Sequence, residues 1–132
     1  MTTAPYGFTR QLSNVSYDDA LGKETGARRT QGFGVLSETD VTASLKEEPE
    51  GTWRRYKILG ACNPPIAHQA LSDEPLIGLL LPCNVVVFEE DDGTVNVSAI
   101  RAREMFNVVG RPELEDYARQ VDERLSAALK QL

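Results

Sequence analysis

Two cysteines and one histidine are the residues of this chain best suited to chemistry. Cys62 and Cys83 are each followed by asparagine, in the runs Cys62-Asn63-Pro64-Pro65 and Pro82-Cys83-Asn84, and His68 is the only histidine. Three readings are open. In the first, the thiols are small apolar fillers, the usual fate of an unpaired cysteine, and the asparagines satisfy backbone groups at strand ends. In the second, Cys62, His68 and Cys83 hold a transition metal, and their ligand types suit zinc. Helical spacing works against it: at about 100° per residue, His68 falls roughly 130° away from the apolar stripe Ile66, Ala67, Ala70 and Leu71, on a flank of its helix.

In the third reading, Cys62 or Cys83 is a reactive thiol, or the two form a redox pair. A cysteine ahead of a helix N-terminus can ionise easily, and His68 could assist it. Pro64 and Pro65, however, remove two of the N–H donors that would stabilise a thiolate, cradle a phosphate or form an oxyanion hole. A Cys62–Cys83 bond further requires the two strand ends to be neighbours. Apart from these, Cys62, Asn63, His68, Cys83 and Asn84 are polar residues gathered at the ends of apolar segments, which suggests a non-enzymatic binding or interaction domain. Such a neighbourhood suits a small-ligand pocket, and nothing in it calls for a cofactor.

Other candidates have simpler explanations. Gly32-Phe33-Gly34 lacks the third glycine of a dinucleotide fingerprint and reads as a turn into a strand. Glu38 with Asp40 reads as a surface acid beside a helix cap. The acids Glu89 to Asp92 read as a solvated hairpin tip. Trp53 is either an exposed contact residue or a cover for one edge of the core.

The elements that must position these residues follow from pattern and punctuation. Phe8 to Leu12 reads as a first strand behind a loose tail at 1–5. Ser16-Tyr17-Asp18-Asp19 opens a helix, with Val15 and Ala20 as its hydrophobic staple and two acids at its positive end. That helix is unusual. Its inward positions should recur near 24 and 28, which are Glu24 and Arg28, and Gly22 and Gly26 weaken it by about 1 kcal/mol each. The expectation is a shallowly packed or mobile helix. A second strand follows Gln31-Gly32, then a short helix capped by Thr39 or Asp40 and broken at 49–51. Arg55 to Cys62 is a third strand with Tyr56, Ile58, Gly60 and Cys62 on one face. Asn63 caps the next helix and Pro64 takes its first position. Cys83 to Glu89 is a buried strand, and Asp92-Gly93 turns it into a hairpin with 94–100. Pro112 opens the last helix, whose apolar stripe runs from Leu114 to Leu132.

Two of these segments, Lys57 to Leu71 and Ile77 to Val87, together resemble the bacterial and archaeal family called domain of unknown function 302. The Gly-Phe-Gly-Val-Leu run and the C-terminal Pro-Glu-Leu helix are similar too, so the resemblance covers nearly the whole chain. It implies an α+β sandwich, often dimeric, without an established activity. The chain departs from the family pattern at Glu24 and Arg28, where apolar residues are usual, and at Arg101-Ala102, where an Asp-Pro-like pair is usual.

Length and charge bound the rest. The 132 residues, 41% hydrophobic and 26% charged, suit one globular domain spanning 1–132. A net charge of −6, from 20 acidic against 14 basic residues, lacks the basic surplus of a nucleic-acid binder. The longest apolar run, Leu76 to Phe88, is interrupted by Pro82 and Asn84 and falls short of the roughly 20 residues that span a bilayer. Residues 1–5 lack the features of a signal peptide, and two cysteines make no disulfide framework. The expectation is a cytoplasmic, single-domain α+β protein, in contact with neither nucleic acid nor membrane, that forms a homodimer: a mixed, mainly antiparallel sheet of about five strands packed by helices.

Overall fold

Alternation along the strands decides the architecture. The computed structural model describes residues 2–45 and 54–132, so Trp53 and the break at 49–51 lie outside the described residues. Strands β1 (Gly7–Leu12), β2 (Gly34–Asp40), β3 (Tyr56–Cys62), β4 (Cys83–Glu89) and β5 (Val95–Ile100) form one sheet in the order β1-β5-β4-β3-β2. Every neighbouring pair is antiparallel among the described residues.

One face of this sheet is packed by helices. Leu59 and Ala61 of β3, Cys83, Val85 and Val87 of β4, and Val95, Val97 and Ala99 of β5 point into the core. The helices are α1 (Tyr17–Thr30), α2 (Val41–Leu45), α3 (Pro64–Asp73), α4 (Ala102–Phe106) and α5 (Glu115–Lys130), and of these α1 and α5 lie against them. The stripe of α5 is buried at Ala118, Val121, Leu125, Ala128 and Leu129. Each large apolar side chain so buried contributes about 1.5–3 kcal/mol. The turn before it is a short 3-10 helix at Pro112–Leu114, so proline starts the element three residues ahead of the α-helix proper.

The opposite face carries Tyr56 and Ile58, Asn84, Val86 and Phe88, and Asn96, Ser98 and Ile100, as the registers Tyr56↔Phe88 and Phe88↔Asn96 require. Thr2 to Tyr6 lie beside it: Asn96 Nδ2 donates to the Thr2 carbonyl at 2.9 Å, and Arg101 N donates to the Tyr6 carbonyl.

Helix α1 corrects the expectation of shallow packing. Ser16 caps it, accepting from Asp19 N at 3.0 Å. Its inward face is then Tyr17, Ala20, Glu24, Ala27 and Arg28, all buried. Glu24 and Arg28 are 3% and 1% exposed. They survive burial as a pair one turn apart, with Arg28 Nε 2.7 Å from Glu24 Oε1 and Arg28 Nη2 donating to Oε2 at 3.1 Å. The break in hydrophobic periodicity marks a buried ion pair, beside a small cavity that Val85, Ala99 and Leu125 also line. Gly22 and Gly26 have open space at the Cβ position and lie on the outer side of the helix.

Candidate functional site

The two Cys-Asn motifs meet through strand pairing. In the β3–β4 ladder Ala61 faces Cys83 and Gly60 faces Asn84. Cys62 and Cys83 therefore sit on neighbouring strands, one residue out of register. Cys83 shares the helix face with Ala61, and Cys62 is the last residue of β3, at the strand end. A bond between them would require their Cβ vectors to converge, which this offset opposes.

Between the strand ends and helix α3 (Pro64–Asp73) lies a narrow slot of about 120 Å³. Ala61, Cys62, Asn63, Ile66, Leu81 and Cys83 are among its walls, with Tyr117 and Val121 of α5 closing the far side. Local chemistry explains its shape. Asn63 Oδ1 accepts from Ile66 N at 3.3 Å, and Pro64 fills the first helical position. That cap sets the direction of α3 and brings Ile66 and Ala70 onto the slot. Across the ladder, Pro82 lies over Gly60 so closely that a Cβ on Gly60 would come within 2.7 Å of Pro82 Cγ and closer still to Ser37 Oγ. Only glycine lets the Pro-Cys-Asn segment approach β3 in this way.

The slot is apolar chemically as well as by composition. Burial pushes the Cys83 thiol up to about 12, with the Asp122 carboxylate and Cys62 pushing the same way. Cys83 is thus a neutral thiol near pH 7, an apolar wall and a poor nucleophile. Asn63 spends its oxygen on the helix cap and its amide on the Gln31 carbonyl.

The remaining predicted residues lie elsewhere. His68 is exposed on α3 and does not line the slot. Asn84 is exposed on the opposite face of the sheet. Among the described residues, no group of three histidine, cysteine or acidic side chains could hold a metal. Of the five predicted residues, the fold brings together Cys62, Asn63 and Cys83.

No local run of the sequence announces the mouth of the slot. A bulge between Val35 and Ser37 makes Leu36 an extra residue in β2, 63% exposed at the slot's edge. Leu71 stands on the other side, against Gly78 of the 3-10 helix Pro75–Leu80. That segment presents Leu76 and Leu79, 71% and 83% exposed. The signal for this patch was the density of leucine between 76 and 81, which reads equally well as core.

A match to the family model described as domain of unknown function DUF302 spans residues 8–132. The chain belongs to the DUF302 family. It is similar to an uncharacterized protein of Aquifex aeolicus (strain VF5), 23% identical over 128 residues, covering 95% of this chain and 83% of that protein. It is also similar to the crystal structure of an uncharacterized conserved DUF302 protein from Bacillus stearothermophilus. That match has a TM-score of 0.88 and 28% identity, covering 97% of this chain and 98% of the other. Among the described residues, no helix of this DUF302 domain is long and apolar enough to cross a membrane.

Proposed function

We propose that this DUF302 domain is a non-enzymatic interaction module that receives a compact apolar group in the slot between Cys62, Asn63 and Cys83. One observation carries the reading: an apolar slot of about 120 Å³ opens between exposed Leu36 and Leu71, with Leu76 and Leu79 exposed on the adjoining segment. Ligand pockets for whole small molecules run to about 300–1,000 Å³. A volume near 150 Å³ holds a benzene-sized group, which is the size of one apolar side chain. Exposed leucines beside such a slot are the usual mark of a protein contact.

The partner we propose is a second copy of the chain. The family resemblance supports a homodimer, and so does β2, which among the described residues is an edge strand whose seven residues are all exposed, the kind of strand that invites pairing with another chain. Two free thiols support the cytoplasm as the compartment. The buried, neutral Cys83 favours this reading over a thiol enzyme, and the exposed His68 favours it over a zinc site.

The test is solution mass by light scattering. A monomer weighs 14.6 kDa, and the wild type should run at twice that. Leu79→Glu combined with Leu36→Asp should return it to monomer with an unchanged circular dichroism spectrum. A wild type that stays monomeric at 100 µM would end the homodimer proposal.

A further inference from the structure

We infer, on the footing of the homodimer already proposed, that each copy of the chain fills the other's slot: Leu79 of one copy enters the partner's slot while the partner's Leu79 enters the first. A knob and a hole lie side by side on one surface. The 3-10 helix Pro75–Leu80 ends where the slot begins, because the next residue, Leu81, is one of the slot's walls.

The knob follows from helix geometry. A 3-10 helix has three residues per turn, so side chains at i and i+3 eclipse. Ile77 and Leu80 form one such row and turn inward: Ile77 is 1% exposed and Leu80 packs on the core. Leu76 and Leu79 form the next row, and it points to solvent. With a rise of about 2.0 Å per residue, the two leucines stand roughly 6 Å apart as a short apolar ridge. Leu79 is the most exposed large apolar side chain among the described residues. The ridge is also fixed at both ends. Ile77 N donates to the Glu74 carbonyl at 3.0 Å, the Glu74 carboxylate is held by Arg111, and Leu81 N donates to the Gly78 carbonyl at 3.2 Å. A knob already held in place costs less order on binding.

The hole suits an aliphatic group. Its polar walls are occupied: Asn63 is spent on its helix cap and on the Gln31 carbonyl, and Tyr117 Oη donates to Asp73. A volume near 150 Å³ holds benzene; the isobutyl group of leucine is smaller, and the slot measures about 120 Å³. Leu79 is not among the walls of its own slot, since its row turns away from the core. Symmetry supplies the rest. In a two-fold pair the same patch faces itself, so a knob beside a hole meets a hole beside a knob. Both insertions form together, and Leu36 and Leu71, at the mouth of each slot, close around the entering leucine. One-way insertion would leave a free knob and a free hole at the ends, and would grow chains.

Native Cys62, in the slot wall, is the reporter. The full chain carrying Leu79→Cys, at an exposed position, is oxidised with copper–phenanthroline, run on a non-reducing gel and mapped by mass spectrometry. The expected product is a covalent dimer joining Cys62 of one copy to the introduced thiol of the other. Wild type should give none, and adding Cys62→Ala to Leu79→Cys should abolish it. In a second arm, Ala67→Phe fills the slot from its own wall with Leu79 intact. It should run as a monomer in light scattering with an unchanged circular dichroism spectrum. The inference is overturned if the bond joins the two introduced thiols or stays within one chain. It is overturned equally if no such bond forms at a concentration where wild type is dimeric, if Ala67→Phe still dimerises, or if wild-type mass grows beyond two copies. A monomeric wild type ends the homodimer reading and this inference with it, whereas a dimeric wild type without the Cys62 bond ends this inference alone.

Discussion

The buried pair in α1 makes an asymmetric prediction. Glu24 and Arg28 are both essentially inaccessible, yet their single replacements should differ. Glu24→Leu leaves Arg28 buried with no counter-charge, and a guanidinium cannot shed its proton in a protein. Breaking a buried pair in this way costs about 3–5 kcal/mol. With an unfolding entropy of about 2.1 cal/mol/K per residue, that lowers the melting temperature by roughly 11–18 °C for a chain of this length. Arg28→Met leaves Glu24, which can take up a proton instead. Burial already raises the Glu24 carboxyl above its ordinary value, against the pull of Arg28; without Arg28 it should rise further. A carboxyl raised in the folded state stabilises fully below its unfolded value, near 4.5, and that stability is lost as pH rises through the folded value. The deficit of Arg28→Met should therefore shrink on acidification toward pH 5, while that of Glu24→Leu should not. The double replacement Glu24→Leu/Arg28→Met removes both charges and should be neutral or up to about 4 kcal/mol stabilising. Scanning calorimetry of the four proteins at pH 5 and 7 closes the cycle. Equal, pH-independent and additive costs for the two single variants would refute the reasoning.

Two further outcomes follow from the site. Gly60→Ala forces a Cβ against Pro82 and should cost about 1–3 kcal/mol in urea unfolding; Ser37→Ala should rescue only the part due to the serine, and a neutral Gly60→Ala would contradict the geometry. Cys83, pushed up to about 12 by burial, should resist iodoacetamide at pH 7.5 in the folded protein and react fully in urea. Because its folded value lies above its unfolded one, the stability it contributes is intact below about pH 8.5 and lost as pH climbs beyond it. Cys83→Ala should flatten that alkaline decline.

Local chemistry made much of this legible. Ser16, Asn63 and the Asp92-Gly93 turn each announce an element boundary through one side chain or one backbone conformation, and those boundaries were readable residue by residue. The period of α5 identified its buried stripe for the same reason. The polarity of Glu24 and Arg28 misled, because periodicity scores each side chain alone and cannot see two charges cancelling one turn apart. At the site, the sequence exposed the two Cys-Asn motifs and the outward bearing of His68. It could not reveal that Asn84 turns away from Cys83, a consequence of the strand's pleat. The bulge at Leu36 depends on a register set by β3, which no local run encodes.

The order of the strands also has a temporal meaning. Strands β2 to β5 succeed one another as neighbours, so each finds its partner soon after it is made, but β1 pairs only with β5, Leu12 against Val95. At about 5–20 residues per second, a ribosome takes roughly 4–17 s to bridge that interval. The opening strand must therefore wait, unmatched, until the hairpin that receives it has emerged. It is also the last piece added at the rim of a sheet already complete without it, which makes it a natural detachable segment: a peptide of residues 2–13 should dock onto a chain synthesised from residue 14 onward.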